Sequence, residues 1–396
     1  MNIDEIFRMF HKRKNSLEWT EESMKKDIQN YLEKIVLYGA GSAGIAFMHY
    51  LNDAGIFPVC FSDGDNEKQG EICEGLEIIS PESITEKVGI DALVIVTINT
   101  DGQNYCRDFK TALLEGGHQG VYKRLHEFGC INVIDYTYFR KCFRLFAGGK
   151  YNLPAVSDVY LMEEHEEDIK TVYEMLADEE SKKIFLDILQ FRLLDDSVEI
   201  PVVSEKNMYF EYDLFPKAED EILIDCGACG GSSLEIFLRQ TNGKFERYYG
   251  LEPDYYNFNR LEKYLEGLPE GIREKMQGVN KAAYSIDGKT SFFVLNGPGT
   301  FAADIGKDSI DTIKIDTLLE CNRASYIKMN IEGSEVAALK GAAYTIKTYK
   351  PKMAIMGYHK TSDLWEVPLL MKQYRPDYII HLRSYMKNVA FCYFAH

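Results

Sequence analysis

Long apolar runs are missing from this sequence. No segment approaches the roughly 18 consecutive apolar residues that a membrane-spanning helix needs. The opening MNIDEIFRMFHKRKNSLEW has no apolar stretch of signal length. Basic residues are in deficit as well, with 45 Lys and Arg against 62 Asp and Glu, a formal net charge of −17. Such a surface repels polyanions, and no Lys/Arg-rich run offers a nucleic-acid footprint. The nine cysteines, odd in number and scattered, read as reduced thiols rather than a disulfide framework. The one C-x-x-C, Cys226 with Cys229, has no second pair, and no metal ligand set is read anywhere in the chain. The expectation is a cytoplasmic protein with no membrane span and no nucleic-acid partner.

With 396 residues, 45% of them hydrophobic, the chain can build more than one core. Residues 1–33 are polar with spaced apolar positions and read as a short helical segment. From 34 to 127, KIVLYG, FPVCFSD, GLEIIS, DALVIVTI and GVYKRL alternate with helix-length stretches such as 42–54 and 102–115. That alternation predicts a small parallel sheet with crossover helices. Residues 128–200, charged and poor in glycine, read as a helical linker whose glutamates and His165 form a solvated face. Strand and helix alternation returns over 201–396. The fold class expected is α/β, with two Rossmann-like domains joined by helices.

Each half carries a glycine turn between a strand and a helix. In LYGAGSAG, Gly39, Gly41 and Gly44 fit G-x-G-x-x-G, and Asp63 ends the next strand 19 residues beyond Gly44. Glycines there permit a tight turn that brings backbone N–H groups to a pyrophosphate, and an acidic residue at that distance can reach a ribose hydroxyl. A turn kept small only for packing is the competing reading. The 34–127 segment, with FSDGDNEKQGEICEGLEIISPESI, resembles the N-terminal domain of bacterial sugar acetyltransferases. This implies a nucleotide-sugar or coenzyme ligand.

In LIDCGACGG the turn is Gly227, Ala228, Gly230 and Gly231, and Glu252 in GLEPD follows Gly231 by 21 residues, repeating the ribose-binding spacing. Asp225 directly before these glycines would repel a pyrophosphate but suits a ligand with an ammonium group, as S-adenosylmethionine has. Residues 221–396 resemble the FkbM-type methyltransferases through IDCGACGGSSL, GLEPDYYNFNRL, VNKAAYSIDGKTSFFV, IDTLL, YIKMNIEGSEVAALKGA and PKMAIMGYH, in that order. The resemblance implies an S-adenosylmethionine-dependent methyltransferase acting on a hydroxyl of a sugar or natural product. It places Asp225, Gly227, Ala228 and Gly231 around the methionine part, Glu252 on the ribose, and Asn280 and Ala282 near the adenine. Asn330 stands where the family's K-x-D-x-E-G has Asp, which lowers the expectation of a metal-assisted reaction.

Residues just beyond strand ends line the ligand crevice of an open α/β sheet. On that ground Asn330, Glu332 and His359 are the catalytic candidates. His359 is the first choice for general base because an imidazole titrates near neutrality. Glu335 reads as a helix cap or a partner of Lys328 or Lys340. Arg383 reads as an acceptor contact or an edge-strand charge, and Trp365 as packing at the pocket wall. The acceptor is expected to be a small molecule, such as a nucleotide-sugar, and a homo-oligomer stays open. A nucleotide-dependent oxidoreductase using the first turn, and a non-catalytic cofactor-binding scaffold, are the alternatives.

Overall fold

The computed structural model describes residues 1–14, 21–98, 109, 113, 119–139, 159–194, 207–293, 301–302, 308–385 and 390–396. They fall into two compact units, one made of Asn2–Glu164 with Gln190–Ser197, the other of Met1, His165–Leu189 and Val198–His396. The helical stretch read from sequence as a linker is therefore divided between them, as far as it lies within the described residues.

The first unit is built on six strands: β1 (Ile35–Tyr38), β2 (Cys60–Ser62), β3 (Ile72–Cys73), β4 (Leu76–Ile79), β5 (Leu93–Val96) and β6 (Asn132–Asp135), ordered β3-β4-β2-β1-β5-β6. All are parallel except β3, which pairs antiparallel with β4. β1 and β5 are apolar and fully buried, as strands covered on both faces must be. The run GVYKRL, expected as a strand, lies instead on the helix Gln119–Glu127. Its Tyr122 and Leu125 fall on one helical face and are buried. The strand that completes the sheet, β6, follows it. The crossover helix expected over 102–115 lies outside the described residues apart from Phe109 and Leu113.

In the second unit the chain forms β7 (Ile222–Cys226), β8 (Arg247–Leu251) and β9 (Met276–Val279), then β10 (Ala282–Ala283), β11 (Gly288–Phe293), β12 (Phe301–Ala302) and β13 (Asp308–Ile313). It ends with β14 (Tyr326–Met329), β15 (Lys352–Met356), β16 (Ile380–Ser384) and β17 (Phe391–Ala395). Seven of these make the main sheet, β16-β17-β15-β14-β7-β8-β9, and β10 to β13 make a separate four-stranded one. β17 is inserted antiparallel between β15 and β16, while the strands from β15 to β9 run parallel. From β7 the chain adds β8 and β9 on one side and later β14 and β15 on the other. The order reverses between β7 and β14, which opens a crevice beyond their carboxyl ends. The helix Glu179–Leu189 packs on the edge strand β16 through Ser181, whose hydroxyl accepts the Leu382 N–H at 2.8 Å. The expected α/β architecture, two parallel-rich sheets each with a glycine turn at its centre, is what the chain adopts.

Among the described residues, no helix is long and apolar enough to cross a membrane.

Candidate active site

β7 ends at the crevice and its chain turns at once. Gly227 has φ +80°, and a Cβ there would stand 2.1 Å from the carbonyl oxygen of Asn330 at the end of β14. Gly231 has φ +99°, with a Cβ position 3.0 Å from the Tyr264 ring. The turn is small because its backbone touches its neighbours and because its angles suit glycine. Gly227→Ala is expected to destabilise the unit by at least about 1–3 kcal/mol from its backbone angles alone. Chemical denaturation of the variant beside the parent chain measures it.

Asp225 does not face the crevice as a free carboxylate, in contrast to the role expected for it. It is fully buried and held by Ser233 Oγ at 2.6 Å, Tyr248 Oη at 3.0 Å and Lys328 Nζ at 2.9 Å. Lys328, itself buried, also donates to the Gly227 carbonyl at 2.8 Å and lies 4.8 Å from the centre of the Tyr209 ring. A buried carboxylate demands such a partner, so the negative charge is spent within the protein.

Glu252 ends β8 beside the same turn. Its Oε2 accepts the Cys229 N–H at 2.9 Å and its Oε1 accepts the Asp254 N–H at 2.9 Å. Asp254 in turn caps the helix Tyr255–Glu266 by accepting the Asn257 N–H. Burial raises the pKa of Glu252, and the two backbone donors oppose that rise. Asn280, expected near an adenine, donates instead to the carbonyls of Glu252 and Pro253 at 2.8 and 3.2 Å. Ala282 is buried in β10. Asn280 thus ties the Glu252 loop from behind.

Across the crevice, Asn330 follows β14 and donates through Nδ2 to Tyr209 Oη at 2.9 Å. Glu332 adopts φ +55°, rare for a residue with a side chain, and its side chain stays 35% exposed. His359 does not fit the part of general base given to it above. Its side chain is only 3% exposed, with Nδ1 2.9 Å from Glu335 Oε1 and Nε2 3.7 Å from Glu332 Oε2. Burial disfavours its charge, yet Glu335, Glu332 and Asp363 outweigh burial and lift its pKa from 6.5 to about 9. An imidazolium at neutral pH has no lone pair with which to accept a proton. Burial raises the pKa of Glu332, with His359 pulling the other way.

Glu335 is neither a partner of Lys328 nor of Lys340. It is fully buried, accepts the Ile331 N–H at 2.9 Å and pairs with His359. Arg383 is no acceptor contact, since Asp178 at 2.9 Å and Glu180 at 3.5 Å occupy its guanidinium. Trp365 is buried and stacks on His165, their ring centres 4.9 Å apart.

In the first unit Asp63 repeats the habit of Glu252. Its Oδ2 accepts the Ala40 N–H of the glycine turn at 3.0 Å, and Lys68 lies 3.1 Å from it. Burial raises its pKa, but the backbone donors at Asp65 and Ala40 and the Lys68 ammonium together hold it below the usual range. Gly44 is required by packing, because a Cβ there would be 2.0 Å from the Gly39 carbonyl oxygen, whereas a Cβ on Gly41 would meet nothing within 4 Å.

A seven-stranded sheet with its order reversed at a glycine turn, faced by an acidic residue at the end of the adjoining strand, defines a Rossmann-like methyltransferase fold. Residues 225–393 match the family described as the methyltransferase FkbM domain, a match that supports a methyltransferase activity. It is similar over its whole length to the methyltransferase FkbM of Methylobacillus flagellatus KT, with 22% identity, 100% of each chain covered and a TM-score of 0.66. More distant structures include the precorrin-6y C5,15-methyltransferase of Geobacter metallireducens GS-15 (10% identity, 50% of this chain and 94% of that one, TM-score 0.30). Another is a SAM-dependent methyltransferase of Aquifex aeolicus (14%, 53% and 97%, TM-score 0.28). No curated protein matches the chain.

Sequence reasoning missed Tyr209, Lys328 and Asp363 as parts of this site. Lys328 had a signal, since a lysine inside an apolar strand must find a buried anion. Asp363 and Tyr209 had none, because only tertiary packing brings them to the crevice.

Proposed function

We propose that the protein transfers a methyl group from S-adenosylmethionine to a hydroxyl of a sugar or nucleotide-linked sugar, in polysaccharide or natural-product biosynthesis. The observation that carries this is the Glu252 carboxylate, fixed by backbone donors from both the glycine turn and its own loop. A carboxylate offers about four lone-pair sites, so the two left over can accept from a pair of vicinal ribose hydroxyls. That acceptor set fits the cofactor's nucleoside. Gly227, Ala228 and Gly231 supply a wall without bulk. Asp225 serves the cradle indirectly, by holding Lys328 against the turn. The cofactor, when bound, supplies an electrophilic methyl group on a sulfonium.

The chain's own task is to orient the acceptor and remove its proton. Glu332 is the base in this reading, since it alone of the three catalytic candidates has a carboxylate open to the crevice. His359, behind it, favours the ionised carboxylate. Asn330 and Tyr209 present an amide oxygen and a phenol edge that can hold a hydroxyl-rich acceptor. In the first unit Gly39, Gly41, Gly44 and Asp63 are proposed to bind a nucleotide. Gly41, whose Cβ position is open, is where a phosphate could approach. The free thiols of Cys60, Cys130, Cys226, Cys229, Cys321 and Cys392 suit a cytoplasmic location.

Isothermal titration of the full chain with S-adenosylhomocysteine tests the cofactor assignment. Glu252→Ala is expected to weaken binding about 10- to 100-fold, the worth of one charge-assisted hydrogen bond. Binding unchanged in that variant would remove the main support for the reading.

A further inference from the structure

Behind the crevice three acid–base side chains from separate elements meet where water does not reach. Glu335 opens the helix Glu335–Lys340, His359 follows β15, and Asp363 opens the helix Asp363–Tyr374. Their relative exposures are 0%, 4% and 0%. One oxygen or nitrogen atom from each lies within 4.8 Å of those from the other two.

The hydrogen bonding of this cluster is incomplete in a specific way. Glu335 Oε1 accepts the Ile331 N–H at 2.9 Å and Asp363 Oδ2 accepts the Lys360 N–H at 2.8 Å, so each carboxylate is oriented by one backbone donor. The other oxygen of each, Glu335 Oε2 and Asp363 Oδ1, has no hydrogen-bond partner, and neither ring nitrogen of His359 makes an aligned hydrogen bond. Buried polar atoms are nearly always satisfied, and several orphans within one cluster call for an ion or a water.

We propose that Glu335, His359 and Asp363 form a binding site for a divalent cation. The free oxygens and a ring nitrogen, whose proton the entering cation displaces to solvent, are the ligands, and the backbone donors at Ile331 and Lys360 fix the carboxylates as outer-shell partners commonly do. One imidazole with two carboxylates suits a cation of intermediate hardness, Mn2+, Fe2+ or Zn2+, better than Ca2+ or Mg2+, which prefer oxygen alone. The cation stands behind Glu332 and is a fixed positive charge at the rear of the crevice. The site does not depend on the methyl acceptor or on the cofactor.

The full chain, stripped with a chelator and desalted, is titrated with Mn2+ and the free ion is followed by electron paramagnetic resonance, with a thermal melt of the same samples and Zn2+ as competitor. The expected result is one tight Mn2+ equivalent that Zn2+ displaces, together with a raised melting temperature. Glu335→Gln and Asp363→Asn should each lower the affinity at least about tenfold, while Asp187→Asn, an acidic residue elsewhere, leaves it unchanged. Circular dichroism confirms that each variant is folded. Asp363→Glu, which keeps the charge and shifts the oxygen, gives a second reading should Asp363→Asn fail to fold. No tight equivalent of either ion, or equal binding in folded parent and variants, overturns the proposal. Titration with S-adenosylhomocysteine beside it shows whether the cofactor reading stands or falls separately.

Discussion

Lys328→Ala is expected to destabilise the methyltransferase unit by about 3–5 kcal/mol, the usual result of removing one partner from a buried ion pair. The substitution leaves Asp225 at zero exposure without its cation, with only the Ser233 and Tyr248 hydroxyls for company. It also removes the donor that ties the Gly227 carbonyl to β14. Denaturant titration followed by circular dichroism measures the loss. The double variant Asp225→Leu with Lys328→Met should recover a large part of it, because two apolar side chains leave no orphaned charge behind. A single-variant effect within about 0.5 kcal/mol, the range of ordinary surface changes, would mean that the pair is not closed to water in solution.

Glu332→Gln is expected to lower kcat about 10²- to 10⁴-fold with S-adenosylhomocysteine affinity close to that of the parent chain, the range typical of a lost general base. The isosteric amide keeps the shape of the site and removes only the ability to take a proton. Glu332, its side chain about one third exposed, adopts an unusual backbone angle, and strain of that kind is held in place where a side chain must be aimed. His359→Gln should act differently. It removes a buried partner from Glu335 and is expected to cost stability as well as rate. A Glu332→Gln enzyme with full kcat would hand the proton to solvent.

The parts of the site legible in the sequence were those dictated by local backbone needs. The glycines of IDCGACGG sit where φ is positive or a Cβ would collide, and Glu252 and Asp254 follow at the spacing of one strand, one helix and the next strand. Local rules govern such features, so they survive in one dimension. What was illegible depends on partners contributed by distant strands. Asp225 was given a ligand to face because nothing in its neighbourhood announces Lys328. His359 was given the base's part because its burial against Glu335 and Asp363 is a tertiary fact. GVYKRL shows a third limit, since a short run with a β-branched residue and an aromatic fits a strand and an amphipathic turn equally well.

The closeness of Gly227 to the Asn330 carbonyl joins the two sides of the crevice mechanically. With 2.1 Å between that oxygen and the place a Cβ would occupy, any side chain at position 227 would push the segment that bears Glu332. A substitution that swells position 330 or its flanks should therefore be felt as weakened nucleoside affinity. Variants selected for new acceptors would have to repair the donor side at the same time.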